Sequence, residues 1–426
     1  MVKIIFLITL FLATAIALPY PNERSNDHLM LLSRSLKEII PDQYIVVFNK
    51  KLTKKQVFDH YDDVNKMLSS IEGGLNKRAV DNSTYGISSK FNIGSFRGYA
   101  GTFSKSCIKK INQRSDVAYI EPNQKVSASE IQIQDNAVPG LVRISHKKLD
   151  GETTYEFDST AGKDTNVYVI DTGIKVEHEE FEGRARVGKT IVAGAPDTDD
   201  QGHGSHVSGT IAGKTFGVAK KANLIAVKVL AADGSGSNID VINGIQFAVN
   251  DHKDTAEASQ LTGKAFKGSV INLSLGGGKS LAVDSAVDSA VDSGMVVVVA
   301  AGNDNTDACT QSPSGASKVI SVAAIDAETD TRASFSNSGK CVELFAPGVN
   351  VLSVGILSNT DTQVLSGTSM ACPHVAGLAA YFLSLSNTTL TPQQLREKLL
   401  SVAQSGVVKN VNGSPNLLAF NDNPNP

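Results

Sequence analysis

Gly367-Thr368-Ser369-Met370-Ala371-Cys372-Pro373-His374-Val375-Ala376-Gly377 is the stretch on which the reading of this chain turns. It sets one serine in a Gly/Ser/Thr loop that runs straight into a small-residue, apolar segment. From Met370 to Leu385 the pattern predicts a buried helix, with Pro373 tolerated in its first turn, where an N–H has no intrahelical acceptor to lose. A serine at a helix N-terminus sits in a positive partial field beside unpaired N–H groups. Those features suit a nucleophile whose attack builds negative charge on a substrate oxygen. Taken alone, the same serine reads as an ordinary N-cap.

Other segments complete a constellation. Residues 166–170 form an apolar run ending in Asp171-Thr172-Gly173, a buried strand that delivers a carboxylate at its C-terminal end. Asp200-Gln201-Gly202-His203-Gly204-Ser205-His206 opens a second small-residue helix. A serine hydroxyl is a poor nucleophile at neutral pH. A neutral imidazole can take its proton and return it to a leaving amine, and a carboxylate holds the imidazole's tautomer. The run 296–300 is another buried strand, followed by Ala301-Gly302-Asn303. The Asn303 carboxamide can donate to a developing oxyanion. His203 and His206 stand three apart and could instead ligate a metal, but no suitably spaced third ligand stands out.

Asp171-Thr172-Gly173, His203 to Val207, Ala301-Gly302-Asn303 and Gly367 to Ala371 arrive in the order of the signature blocks of subtilisin-like serine proteases, and the chain resembles that family over nearly its whole length. The segments 266–279 and 335–348 are most similar to the fungal proteinase K and cerevisin group. The resemblance implies a serine endopeptidase of broad specificity with Asp171, His203 and Ser369 as catalytic residues and Asn303 as oxyanion donor. It implies protein or peptide substrates, no cofactor for catalysis, and a monomer.

Composition agrees with a secreted hydrolase. With 426 residues and 41% hydrophobic content, a sizeable core and more than one domain are expected. A net charge of −3 gives no electrostatic basis for binding nucleic acid or membrane. Residues 1–17 combine Lys3, a short apolar run and Ala15-Ile16-Ala17, the pattern of a secretory signal peptide. The mature protein is then expected outside the cell, with the vacuolar lumen as the alternative destination.

Residues 18–131 read as a propeptide with a small α+β domain over about 42–127. Strands are expected at 43–48, 98–103 and 117–122 and a helix at 54–68, giving two helices on one antiparallel sheet. This segment resembles the inhibitory propeptides of fungal subtilases, which implies that it serves the enzyme as intramolecular chaperone and inhibitor. The polar stretch 125–135 reads as an exposed linker and processing site, with the mature peptidase domain, 132–426, beginning near Gln132. There the strand candidates 167–170, 224–230, 270–275, 296–300 and 319–323 alternate with helical segments. The fold class is α/β: a mostly parallel central sheet covered by helices on both faces. The repeat at 282–293 reads as one amphipathic helix, because Val283, Val287 and Val291 recur every four residues.

Further assignments come from the resemblance. Gly234-Ser235-Gly236 and Leu275-Gly276-Gly277 match segments that flank an extended substrate and pair with its backbone. Ala300, Ala301 and Gly302 match the lining of the primary specificity pocket. Asn238 stands where many relatives carry a tyrosine that closes a remote subsite. Cys309 and Cys341 match a disulfide pair of some relatives. A structural calcium site maps onto Ser317, Val319 and Glu343, with Glu in place of the usual Asp. Cys107 lies in the propeptide, and Cys372 reads as a buried small hydrophobe. Of the glycosylation sequons, Asn387, Asn412 and Asn82 are candidates, while Asn272 falls in a core strand.

Overall fold

The computed structural model describes residues 39–71, 85–124, 130–148 and 151–423. The expected signal peptide, 1–17, and the sequon at Asn82 lie outside them. The chain forms two compact units, divided in sequence between Lys125 and Val126.

In the first unit the elements are β1 (Ile39–Phe48), α1 (Lys54–Ile71), β2 (Gly86–Ile93), β3 (Phe96–Thr102), α2 (Lys105–Asn112) and β4 (Val117–Gln124). The strands make an antiparallel sheet in the order β2-β3-β1-β4. Val46, Phe48, Val64, Leu68, Tyr99, Phe103, Ile108, Ile111 and Ile120 form its core with the Cys107 thiol. Ser104 caps α2 by accepting from the Cys107 N–H. The sequence reading missed β2. Its apolar residues Ile87, Phe91 and Ile93 share one parity, but Ser89 interrupts the series and every residue is half or fully exposed, so the alternation is weak.

The second unit begins with β5 (Ile131–Gln134), α3 (Pro139–Ser145), β6 (Tyr155–Asp158), β7 (Thr165–Asp171), β8 (Ala185–Thr190), α4 (His203–Ala212), β9 (Asn223–Lys228), α5 (Asn238–Thr262) and β10 (Gly268–Leu273). There follow β11 (Gly277–Gly278), α6 (Leu281–Asp292), β12 (Val296–Ala300), β13 (Gln311–Ser312), β14 (Ile320–Asp326), β15 (Thr331–Arg332), β16 (Leu344–Pro347), β17 (Val351–Val354) and β18 (Thr362–Leu365). The chain closes with α7 (Thr368–Leu385), α8 (Pro392–Val402), β19 (Gln404–Ser405) and β20 (Leu417–Leu418). The main sheet runs β19-β20-β16-β14-β12-β10-β7-β9-β8. From β16 to β8 every neighbouring pair is parallel.

Strand alternation sends side chains to two separate cores. Val167, Val169, Ala226, Val270 and Val298 face α4 and α7. Tyr168, Ile170, Ile225, Val227, Ile271 and Val297 face α5 and α6, where Val283 and Val287 are buried. The doubly covered parallel sheet is therefore as expected, and the alanine–valine–aspartate–serine repeat is the amphipathic helix α6. No helix among the described residues is long and apolar enough to cross a membrane.

Two local readings need correction. Residues 131–134 belong to a strand, not to a linker: β5 pairs antiparallel with β6, with Gln132 opposite Phe157. Pro373 is not in the first turn of its helix, because α7 starts at Thr368. The missing proline N–H therefore leaves the Ser369 carbonyl, four residues back, without its helical donor.

Candidate active site

Asp171 is the last residue of β7 and is fully buried. One of its oxygens, Oδ1, accepts from the Thr172 N–H at 2.7 Å and pairs with His203 Nδ1 at 2.8 Å. His203 is the first residue of α4 and is partly exposed. A proton on Nδ1, held by the carboxylate, leaves Nε2 as the free base. Burial alone would lower the imidazole's pKa. The charge and hydrogen bond of Asp171, with the charge of Asp199 behind them, outweigh burial and raise it above the usual value.

Ser369 lies in the first turn of the core helix. Every other residue from Thr368 to Ser384 is buried, and Ser369 alone keeps partial exposure. Its hydroxyl donates to the Ser274 carbonyl at 3.1 Å. The Ser274 hydroxyl donates in return to the Ser369 carbonyl at 2.9 Å, which is the acceptor freed by Pro373. The proline thus exchanges a helical bond for a tie between the serine's backbone and the end of β10. Ser369 makes no direct hydrogen bond to His203, its hydroxyl being turned to Ser274; catalytic bonds of this kind often form only with substrate in place. A cleft of about 420 Å³ runs between Gly234-Ser235-Gly236 on one side and Leu275-Gly276-Gly277 on the other, and His203, Thr172 and Ser274 line it.

Asn303 follows β12 and is exposed. Its Oδ1 accepts from the Thr368 N–H at 2.8 Å and from the Thr368 hydroxyl at 2.9 Å. That hydroxyl's proton is directed to Asn303 because its oxygen also accepts from the Gly302 N–H. With Oδ1 fixed, Nδ2 is left as a free donor next to the serine turn.

Ala300 and Ala301 turn their side chains into the core, so only their backbone can face a substrate. Gly302, at φ 105°, is backed by the Asn337 and Gln311 side chains. Gly277 and Gly278 pair with Gln311–Ser312, so one edge of that segment is already used. The cleft includes Asn238 with Leu230, Val241 and Val283 behind it. Cys309 and Cys341 form the expected disulfide. Cys372 is buried with its thiol on the Asn272 carboxamide oxygen, and burial pushes its pKa up.

The calcium set does not fit. Arg396 of α8 grips both carboxylate oxygens of Glu343 through Nε, at 2.9 and 2.8 Å, and through a second nitrogen. A guanidinium thus holds the one carboxylate of the set, where a metal would need it free. His206, the other candidate ligand on α4, is buried with Nε2 on the Val351 carbonyl, and burial lowers its pKa to about 4. Asn387 is exposed, whereas Asn412 donates through Nδ2 to the Ser338 hydroxyl. Asn272 is buried and donates to Ser274.

A parallel α/β sheet that carries an Asp–His pair at the edge of a cleft, a helix-start serine tied to the cleft residue Ser274, and a carboxamide held against the serine turn defines the subtilisin class. Residues 162–418 match the subtilase family and residues 43–129 the peptidase inhibitor I9 family. The chain belongs to the subtilase family and is a serine protease carrying an I9 inhibitor domain. It is 45% identical over 396 residues to "Subtilisin-like protease 2" of Pseudogymnoascus destructans, covering 93% of each chain. To "Subtilisin-like serine protease Pen ch 18" of Penicillium rubens it is 44% identical, over 94% of this chain and 84% of the relative. Among solved structures, a cold adapted subtilisin-like serine proteinase matches with a TM-score of 0.61 and 41% identity, covering 67% of this chain and 99% of that one.

Proposed function

We propose that the chain is a self-processing prepro-zymogen: signal peptide 1–17, propeptide 18–131 and mature endopeptidase 132–426. It enters the secretory pathway and acts outside the cell or in the vacuolar lumen, as a monomer on protein and peptide substrates. Ser369 Oγ attacks the scissile carbonyl carbon while His203 Nε2 takes its proton. Asp171 holds the imidazole's tautomer and stabilises the imidazolium. The carbonyl oxygen, now an anion, receives Asn303 Nδ2–H. Collapse breaks the C–N bond, and the leaving amine takes the proton from His203. Water then repeats the sequence on the acyl-serine. Specificity is broad, because backbone pairing along Gly234 to Gly236 and Leu275 to Gly277 reads little sequence. Asn387 is the best-placed sequon for a glycan.

The observation that carries this reading is the 2.8 Å Asp171–His203 bond at the edge of the cleft that also holds Ser274, the partner of Ser369. Ser369→Ala should leave the fold intact and abolish both peptide hydrolysis and self-processing. Casein cleavage by that variant at near wild-type rate would refute the assignment. The propeptide role has its own test. Added residues 18–131 should inhibit the mature enzyme in trans, with a lag that ends as they are digested. Absence of inhibition, with efficient folding of 132–426 alone, would leave them a spacer.

A further inference from the structure

Asp199 is buried at 5% exposure, four residues before His203, and is not one of the Asp171, His203, Ser369 and Asn303 set. Its Oδ1 accepts from the Thr172 hydroxyl at 2.9 Å, the Gln201 N–H at 3.0 Å and the Gly202 N–H at 2.8 Å. Its Oδ2 accepts from the Ser205 N–H at 2.8 Å and the Ser205 hydroxyl at 2.7 Å. All five partners are donors. Only an ionised carboxylate satisfies them, since an amide would turn an N–H against one group or the other.

Two of those donors relay the contact. The Thr172 hydroxyl accepts from the Gly204 N–H at 2.9 Å, and the Ser205 hydroxyl accepts from the Lys175 N–H at 2.9 Å. One carboxylate therefore ties the turn after Asp171 to the first turn of α4. On its other side, the Thr172 carbonyl accepts from Lys228 Nζ at 2.6 Å, and the same nitrogen pairs with Asp200 at 2.7 Å. Thr172 is gripped through its hydroxyl by Asp199 and through its carbonyl by the Lys228–Asp200 pair. No slack remains between the two segments: a side chain at Gly204 would collide with the Gly173 carbonyl.

We propose that Asp199 is a positioning residue for catalysis, a buried carboxylate that sets the spacing of Asp171 and His203 and adds its own negative charge behind the imidazole. The proposal rests on the assignment of Asp171, His203 and Ser369 as the catalytic set. The charged or titratable groups facing His203 are Asp171 and Asp199, with His206 one turn along α4 and the Lys228–Asp200 pair beyond Thr172. Asp199 adds to the attraction of Asp171 for a proton on His203.

The test compares the full chain carrying Asp199→Asn, Thr172→Val or Ser369→Ala with wild type, measuring self-processing, kcat and KM on a peptide substrate across pH, and the thermal midpoint. Asp199→Asn should lower kcat by roughly 10–100-fold, as expected for a small misplacement of reacting groups, with KM within about twofold. The acidic limb of kcat/KM should move to lower pH, because a negative charge behind the imidazole is gone. Thr172→Val removes only the hydroxyl bridge. It should lower kcat while the limb stays at its wild-type pH, and it decides the matter if Asp199→Asn does not fold. Wild-type kinetics in Asp199→Asn, or in Thr172→Val where that variant decides, would overturn the proposal. So would a lower rate in Asp199→Asn with an unmoved limb, the mark of a structural prop. An active Ser369→Ala would overturn the catalytic set itself; an inactive one beside an unaffected Asp199→Asn would overturn only the role of Asp199.

Discussion

Asn303 offers the sharpest separation of catalysis from stability, because its two ends do different work. Oδ1 accepts both the Thr368 N–H and the Thr368 hydroxyl, and Thr368 is fully buried. Nδ2 has no partner among the described residues. Asn303→Asp keeps the acceptor and both Thr368 bonds but replaces the donor with an oxygen. Its thermal midpoint should stay close to wild type. Its kcat should fall by at least 10²–10³-fold, about 3–4 kcal/mol of transition-state stabilisation, a magnitude carried over from subtilisin losing its side-chain oxyanion donor. Asn303→Leu loses the donor and also strands two buried donors of Thr368. It should show a similar fall in kcat together with about 1–3 kcal/mol of lost stability. KM should change little in either case, since the bond forms mainly in the transition state. Steady-state kinetics on a peptide anilide at the pH plateau, paired with thermal melts, read both quantities. An Asn303→Asp enzyme with kcat within about threefold of wild type would refute the donor role, and one with raised KM alone would make Asn303 a ground-state contact.

His203 should give activity and stability opposite pH slopes. Its folded pKa is raised, so its bond to Asp171 stabilises the fold fully below the unfolded value of 6.5 and loses that contribution as pH rises through the folded pKa. kcat/KM should climb over the same window as the base becomes free, and Asp171→Asn should move the climb to lower pH while lowering the plateau; a limb unmoved by that change would exclude the pairing. The Cys309–Cys341 bridge spans 32 residues, which in the chain-entropy view contributes about 3–4 kcal/mol. The Cys309→Ser/Cys341→Ser double variant should melt several degrees lower, and an unchanged midpoint would show that the bridge adds nothing. Arg396→Met leaves Glu343 unpaired and mostly buried, at a cost of about 1–2 kcal/mol for a partly exposed pair. Added calcium should recover part of that loss in the variant and leave the wild-type midpoint unchanged; a wild-type midpoint lowered by chelation, with Arg396→Met neutral, would restore the metal to that site.

What was legible in the sequence lies at the ends of regular elements. Asp171 closes an apolar run and His203 opens a small-residue helix, so backbone periodicity alone places each near a surface edge. The two-faced parallel sheet follows from the same periodicity, as does α6 from its valines every four residues. What was not legible is polar and distant in sequence. The edge strand β2 carries only a broken alternation, Ile87, Phe91 and Ile93 with Ser89 between them, and its residues are half or fully exposed.

The missed polar residues have a common cause: a buried charge is recognisable only once its partners are known. Asp199-Asp200-Gln201 reads as a solvated loop. Its five donors become visible only when the chain has folded Thr172 against Ser205. Glu343 looked like a ligand for a cation, and a cation does bind it, but the cation is Arg396, 53 residues further along the chain. Pro373 shows where the two kinds of knowledge divide. Local rules state that a proline within a helix deprives the carbonyl four residues back of its donor. They name the Ser369 carbonyl once the helix start is known, and they require that some other group satisfy it if it is buried. They do not name Ser274. That hydroxyl reaches the carbonyl only because β10 ends beside the first turn of α7, a consequence of the sheet order and not of either segment's sequence.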